Sequence, residues 1–267
     1  VGGIQILNAI SGLGYLFIAQ GWQSFIRKKL LLWGYRAILH SKKVWILFQN
    51  PDDQALFAQH KIIHPQHASI IKGSGVDLQQ FTFSAIPKGK IKIILVARML
   101  RDKGVGEFVK AATMLKQQGV DADFLLVGPV DVGNPKSISI DQLEEWSKSG
   151  VVKWLGGRAD IAQLVTKSHI AVLPSYREGL PKSLIESAAI GRPIITTNAP
   201  GCREVVKEGE NGFLVPARDA KKLAAAIKKL TNNPKLLITM GKKSRLMAEQ
   251  EFSIQKVISK TLALYSK

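Results

Sequence analysis

Between residues 91 and 215 the chain alternates short apolar runs with stretches of helical spacing, and nothing else in it narrows the fold as far. Strands are expected at 91–97, 122–127, 151–155, 170–174, 193–197 and 212–215. Helices are expected at 103–118, 138–149, 159–167, 181–190, 201–207 and 218–230, followed by 234–250 and 253–265. Strand and helix in turn imply parallel strands joined by right-handed crossovers, an α/β doubly wound sheet. The run Ile170-Ala-Val-Leu-Pro174 is apolar throughout, as a strand covered on both faces has to be.

Upstream the pattern is looser. Residues 1–7 read as a strand, with Asn8-Ala-Ile-Ser-Gly-Leu-Gly14 as the loop after it. The chain opens at Val1 inside a strand pattern, so an N-terminal portion is expected to be missing. Residues 22–41 read as a helix with Phe25, Ile26, Leu30, Trp33, Ala37 and Ile38 on one side and Arg27, Lys28, Lys29 and Arg36 on the other. Aromatics mixed with cations suit a helix lying in a membrane interface, and equally a surface helix of a basic protein. A strand at 44–48, a helix at 51–59 and a strand from 70 ending in a turn at Asp77 follow. Residues 79–90, with Pro87 and Gly89, read as an interdomain linker.

Parallel sheets bind ligands at the carboxyl ends of their strands. Arg98 and Lys103 follow the first strand of the regular region, Gly128 the second and Gly156-Gly157-Arg158 the third. Residues 175–178 follow the fourth, and Thr196-Thr197-Asn198 the fifth. Five loops due to meet at one edge thus each bring a glycine, a cation, a carboxylate or a hydroxyl. Pro181 marks a helix start, since its missing N–H would be unpaired there anyway. The amides of Lys182, Ser183 and Leu184 should then point at an anion.

Arg98 and Lys103 would neutralise a diphosphate, while Glu178 and Glu186, which bracket the helix start, would each grip hydroxyl groups. Glycines at 128, 156, 157 and 179 would let the backbone approach closely. The ligand so described is a nucleoside-diphosphate sugar. With no histidine cluster, the leaving diphosphate should be stabilised by cations and amides, without metal or other cofactor. Taken singly, each residue has a plainer role: strand-end cations, a helix-capping Glu178, a solvated Glu186, turn glycines, a strand-ending Asp77. The combination carries the functional reading.

The net charge of +18 is uneven. Residues 1–90 hold 10 Lys+Arg against 3 Asp+Glu, and 221–267 hold 11 against 2, whereas 91–220 hold 17 against 15. Basic ends point to an anionic membrane surface or a phosphorylated substrate. A nucleic-acid partner would rest on charge alone, with no motif and no set of base-stacking aromatics. The single cysteine, Cys202, rules out a disulfide framework and suits a reducing, cytoplasmic setting.

Glu178-Gly-Leu-Pro-Lys-Ser-Leu-Ile-Glu186 resembles the Glu-x7-Glu motif of retaining family 4 glycosyltransferases of the GT-B fold. Gly73-Ser-Gly-Val-Asp77, Ala97-Arg-Met-Leu-Arg-Asp-Lys-Gly104, Gly191-Arg-Pro193, Pro200-Gly-Cys-Arg-Glu204 and Asn211-Gly-Phe-Leu-Val-Pro216 resemble other stretches of that family. The resemblance implies two Rossmann-like doubly wound domains, the N-terminal one incomplete. Residues 1–80 would be the partial acceptor-side domain, 81–90 a linker and 91–250 the donor-binding domain. Residues 251–267 would form a helix packing back on the first domain.

It further implies a metal-independent hexosyltransferase moving a UDP-linked hexose or N-acetylhexosamine, with retention, onto a saccharide or polyprenyl-diphosphate acceptor in bacterial surface polysaccharide synthesis. Arg98, Lys103 and Glu178 would be catalytic; Glu186 would hold the ribose. Gly179, Leu180, Pro181, Lys182, Ser183, Leu184, Gly128, Gly157 and Arg158 would complete the donor site. Ser11, Gly12 and Gly14 would face the acceptor; many members carry a histidine in that loop, where this chain has Ser11 or Asn8. The competing expectations are an inactive donor-binding remnant and a sugar-nucleotide epimerase of the same fold. The enzyme would be cytoplasmic, held peripherally on the membrane's inner face.

Overall fold

The computed structural model describes residues 6–14, 17, 21–41 and 43–265, the side chain of Ser24 excepted. Two parallel sheets organise them. The smaller has the order β1 (Ile6–Ile10), β2 (Val44–Phe48), β3 (Ala68–Ile70), with α1 (Trp22–Leu39) and α2 (Pro51–Gln59) between. The larger contains β4 (Ile91–Val96), β5 (Ala122–Val127), β6 (Lys153–Trp154), β7 (Ile170–Leu173), β8 (Ile194–Thr197) and β9 (Gly212–Val215). Its order is β6-β5-β4-β7-β8-β9, every neighbour parallel. The chain therefore winds outward from β4 in one direction and resumes at β7 in the other.

Helices α3 (Val105–Gln117), α4 (Ile140–Lys148), α5 (Ile161–Thr166), α6 (Lys182–Ile190), α7 (Ala220–Thr231) and α8 (Pro234–Met247) clothe this sheet, and α9 (Ile254–Tyr265) follows. Polar caps fix several starts: Asn50 accepts from Asp53 N at 2.8 Å, Asp219 from Lys222 N at 2.9 Å and Asn233 from Leu236 N at 3.0 Å. In α7 the buried Leu223, Ile227 and Leu230 recur at helical spacing, with the lysines left outside. All four residues of β7 are buried, as its sequence requires. Each sheet has its own apolar core, one around Phe48 and Phe57, the other around Phe108, Phe124 and the β4–β7 strands.

Several expected boundaries shift. Residues 1–5 lie outside the described residues, and β1 runs on to Ile10, so Asn8 to Ile10 pair with β2 instead of forming a loop. The strand expected from 70 to 77 ends at Ile70, because Gly73 and Gly75 take φ of 70° and 80°. No helix forms over 201–207; Gly201 at φ 75° leaves room for one 3-10 turn, Arg203–Val205. The helix expected at 234–250 becomes α8 plus a π turn, Ala248–Phe252.

The segment at 79–90 is not a free connector. Ser84 N donates to Ile190 O at 3.0 Å, and the fully buried Arg192 donates to the carbonyls of Ser84, Ala85 and Ser168. Arg245 holds Phe81 O at 3.0 Å. The actual crossing between the two sheets lies earlier, at Val76. There Val76 N donates to Phe252 O at 2.8 Å and Ile254 N to Val76 O at 3.0 Å, so the outgoing and returning chains run side by side.

Candidate active site

The order of the larger sheet reverses between β4 and β7, and the crevice beyond that reversal is where a doubly wound fold takes its ligand. The loop after β4 carries Arg98 and Lys103, the loop after β7 carries Arg177, Glu178 and Gly179. Hydrogen bonds stitch the two together: Tyr176 N donates to Asp102 O at 2.9 Å and Ser175 Oγ to the same carbonyl at 3.1 Å. Gly104, at φ 74°, permits this approach, since a Cβ there would fall 2.2 Å from Pro174 O. Lys103 Nζ consequently lies 2.5 Å from Glu178 Oε1, with side chains 21% and 14% exposed.

Arg98 stands at the mouth, its Nη1 2.6 Å from Asp131 Oδ2. Opposite, the loop Ser11 to Gly14 after β1 closes the crevice into a cavity of about 660 Å³ lined by Arg98, Lys103, Glu178 and Gly179 on one wall and Ser11, Gly12 and Gly14 on the other. The walls touch: a Cβ on Gly179 would sit 1.7 Å from Ser11 O, and one on Gly12 3.1 Å from Gly179 N. From behind, Glu178 N donates to Pro200 O at 3.0 Å, and Gly201 packs under Glu178 O so closely that a Cβ would come within 2.2 Å. A cationic wall, a shielded carboxylate and a facing polar loop form a site for an anionic ligand that carries hydroxyls.

Residues 77–247 match the family described as Glycosyl transferases group 1. The chain belongs to that family. It is 30% identical over 271 residues to the N,N'-diacetylbacillosaminyl-diphospho-undecaprenol alpha-1,3-N-acetylgalactosaminyltransferase of Campylobacter jejuni, a match covering 97% of this chain and 69% of that relative. It is 28% identical over 228 residues to the UDP-Gal:alpha-D-GlcNAc-diphosphoundecaprenol alpha-1,3-galactosyltransferase of Escherichia coli, covering 80% of this chain and 58% of the relative. Among solved structures, Anabaena Alr3699/HepE in complex with UDP and glucose superimposes with a TM-score of 0.79 at 20% identity, over 96% of this chain and 71% of that one. The fold is GT-B, and the chain spans only part of the length of these relatives.

In this group 1 glycosyl transferase the remaining expected donor residues fall in three places. Leu180 and Leu184 are buried in the large core, so any contact they offer is through backbone. Pro181 is the N-cap of α6 and not its first helical residue; its carbonyl accepts from Leu184 N at 3.1 Å, which removes that amide from the expected anion site. Lys182 is exposed, Ser183 is half-buried, and both open the helix. Glu186, one turn on, does not line the cavity with Glu178; Lys182 Nζ is 3.8 Å from it. Burial pushes its carboxyl above the ordinary range, opposed by Lys182.

Gly128 and Gly157 belong to the loops behind the β4 turn. Gly128, at φ 149°, comes so near Ala97 O that a Cβ would fall at 1.7 Å, and its N donates to Gly156 O at 2.8 Å. Arg158 departs from expectation: Asp160 takes its Nε and Nη2 at 2.8 Å each, and it faces a different cavity along β6 with Lys92, Lys116 and Lys153. The sequence also holds an Asp-x-Asp pair, Asp121 and Asp123, but it lies at the entry of β5, bound to Lys90 and away from the carboxyl edge. Among the described residues no cluster of three His, Cys, Asp or Glu is placed to hold a metal ion.

Four cavity or loop residues were not singled out from the sequence. Asp131 and Asn134 anchor Arg98's side of the cavity, with Asn134 Nδ2 donating to Asp131 Oδ2 at 3.0 Å. Arg177, beside Glu178, is ion-paired to the fully buried Asp53 of α2. An aspartate one turn into a short helix 124 residues upstream gives no signal that it reaches this loop.

Proposed function

We propose that this protein is a glycosyltransferase that uses a nucleoside-diphosphate sugar, a UDP-linked hexose or N-acetylhexosamine, and transfers it with retention to a saccharide or polyprenyl-diphosphate-linked acceptor. The observation that carries the reading is the meeting of Arg98, Lys103 and Glu178 in one cavity at the sheet reversal. In transfer, the bond from the sugar's anomeric carbon to the diphosphate oxygen breaks, one to an acceptor hydroxyl oxygen forms, and that hydroxyl's proton passes to the departing diphosphate. Negative charge builds on the departing diphosphate, and the two cations stabilise it without a metal. Glu178, freed from Lys103 as the diphosphate draws that ammonium, is placed to accept hydroxyl hydrogens of the sugar. Glu186 takes the ribose. The UDP complex of the Anabaena neighbour supports the donor class, and the names of the two bacterial relatives support a lipid-linked acceptor.

Helix α1, in the smaller sheet's unit, suits a membrane-anchored substrate. Trp22 and Trp33 of α1 are 73% and 71% exposed, and Phe25, Leu30 and Ile38 lie open among Arg27, Lys29 and Arg36. No helix of the described residues is long and apolar enough to cross a membrane. Such a face docks on anionic lipid from the side, as a cytoplasmic enzyme held at the membrane's inner leaflet would. Calorimetric titration with UDP tests the donor site: wild type should bind and Glu186→Ala should bind more weakly. Equal binding by both, or none by either, would sink the assignment. Flotation with vesicles that shows no preference for anionic over neutral lipid would remove the docking face.

A further inference from the structure

The first turn of α2 belongs to the smaller sheet, yet its polar groups are spent on the larger one. Asn50 Nδ2 donates to Gly179 O at 2.8 Å and to Asp53 Oδ2 at 3.0 Å, while Asn50 Oδ1 accepts from Asp53 N. Asp53, with no exposure at all, is ion-paired to Arg177. Its neighbour Asp52 takes Arg203 Nη1 through both oxygens, at 2.8 and 3.0 Å. Arg177 precedes Glu178 in the chain, and Arg203 sits just past Gly201, the residue packed under the Glu178 carbonyl. One helical turn therefore grips the Glu178 loop from both sides, across the boundary between two separate cores.

Two aspartates in the first turn of a helix are favoured by its dipole, which readies them for cations from outside. What the pairs contribute is geometry more than stability. A buried ion pair is close to neutral against its desolvation cost, so parting the two sheets and hydrating Asp53 and Arg177 is not prohibitive. Removing one partner while the sheets stay together is different, because it strands a charge in the closed form alone. The arrangement is thus suited to a closure that is reversible and yet fixed in register.

We propose that Asp53 and Asp52 are positioning residues: through Arg177 and Arg203 they hold the Glu178 loop against the Ser11–Gly12 wall and so set the closed geometry in which transfer takes place. This rests on the reading of Glu178 as part of the transfer site, and the two can fail separately. Spin labels at His60→Cys and Glu208→Cys, exposed residues attached to the smaller and the larger sheet respectively, report the separation of the two sheets with no ligand present. Asp53→Asn keeps the shape and loses the charge. It should lengthen and broaden that distance distribution, leave UDP affinity within about threefold, and lower kcat about 10- to 100-fold with little change in donor KM. Should Asp53→Asn fail to fold, the half-exposed pair answers instead: Asp52→Arg should open the crevice, and Asp52→Arg combined with Arg203→Asp should close it again. An unchanged distance distribution in Asp53→Asn and Asp52→Arg overturns the proposal, as does an open double variant no better than the single one. If wild type binds no UDP but the label distances respond as stated, the donor reading falls and the clamp stands.

Discussion

Lys103 Nζ and Glu178 Oε1 lie 2.5 Å apart, although one follows β4 and the other follows β7. The pair joins the two loops that flank the sheet reversal, and each side chain is the other's partner in a largely shielded place. Lys103→Ala leaves the Glu178 carboxylate without that partner and should destabilise the fold by about 1–3 kcal/mol. Adding Glu178→Gln should restore much of the melting temperature. Turnover of the nucleotide sugar should fall about 10²- to 10³-fold in the single variant and stay low in the double one. Thermal melts beside a turnover assay separate the two effects; activity regained along with stability would contradict the assigned roles.

Gly179 is where the walls meet. A Cβ would collide with Ser11 O at 1.7 Å and Gln49 Oε1 at 2.6 Å; the glutamine side chain can move aside, but the Ser11 backbone cannot. Gly179→Ala should cost about 1–3 kcal/mol as overpacking does, or force the sheets apart. A larger radius of gyration in X-ray scattering is the expected result.

The raised carboxyl of Glu186 gives a pH signature. Burial, its first cause, makes the charged form costly in the folded protein. With the folded value above the unfolded one, the group favours folding below its ordinary value of 4.5 and loses that contribution as pH rises through the folded value. Glu186→Gln should therefore melt higher than wild type at pH 7, with the gap closing in acid. If ribose hydroxyls need the carboxylate, the variant should bind UDP about 10- to 100-fold more weakly at pH 7. Wild-type affinity should fall as pH drops toward the raised value.

His169 runs the other way. It is buried, its Nδ1 accepts from Lys92 N at 3.0 Å, and burial followed by the charge of Arg192 holds its pKa below 6.5. The unfolded chain takes up a proton near 6.5 while the folded protein resists it. Stability from this group is thus complete above 6.5 and is lost as pH falls from there toward the folded value. Melting temperatures at pH 7.5 and 5.5 should differ more in wild type than in His169→Asn.

Burial, with Glu178 nearby, pushes the Cys202 thiol up to about 12. It should ignore thiol reagents at pH 8 until denaturant is added, then react one to one. Labelling before unfolding would mean that the loop around Gly201 opens on its own.

The sequence made the larger sheet legible because its strands are apolar on both faces and its helices are amphipathic, so local pattern and final position agree. Lys103 and Glu178 could be placed at one edge in advance because each follows a parallel strand at its carboxyl end. Arg192 and Asn211 were visible only as parts of family-like stretches; both are buried and bonded to neighbouring backbone, Arg192 to the 84–85 carbonyls and Asn211 to Val205 O at 3.0 Å. Arg158 misled because the sequence places it after β6 but says nothing of the competing Asp160. Asp53 was silent, since its partner is fixed by how two sheets dock and no local rule encodes that.

The paired crossing at Val76 and Ser253 gives the molecule a mechanical property. Should the sheets part, the outgoing and returning chains must turn together there, because Val76 is bonded to both Phe252 and Ile254. Stiffening that crossing should slow any such opening without altering a residue that lines the cavity.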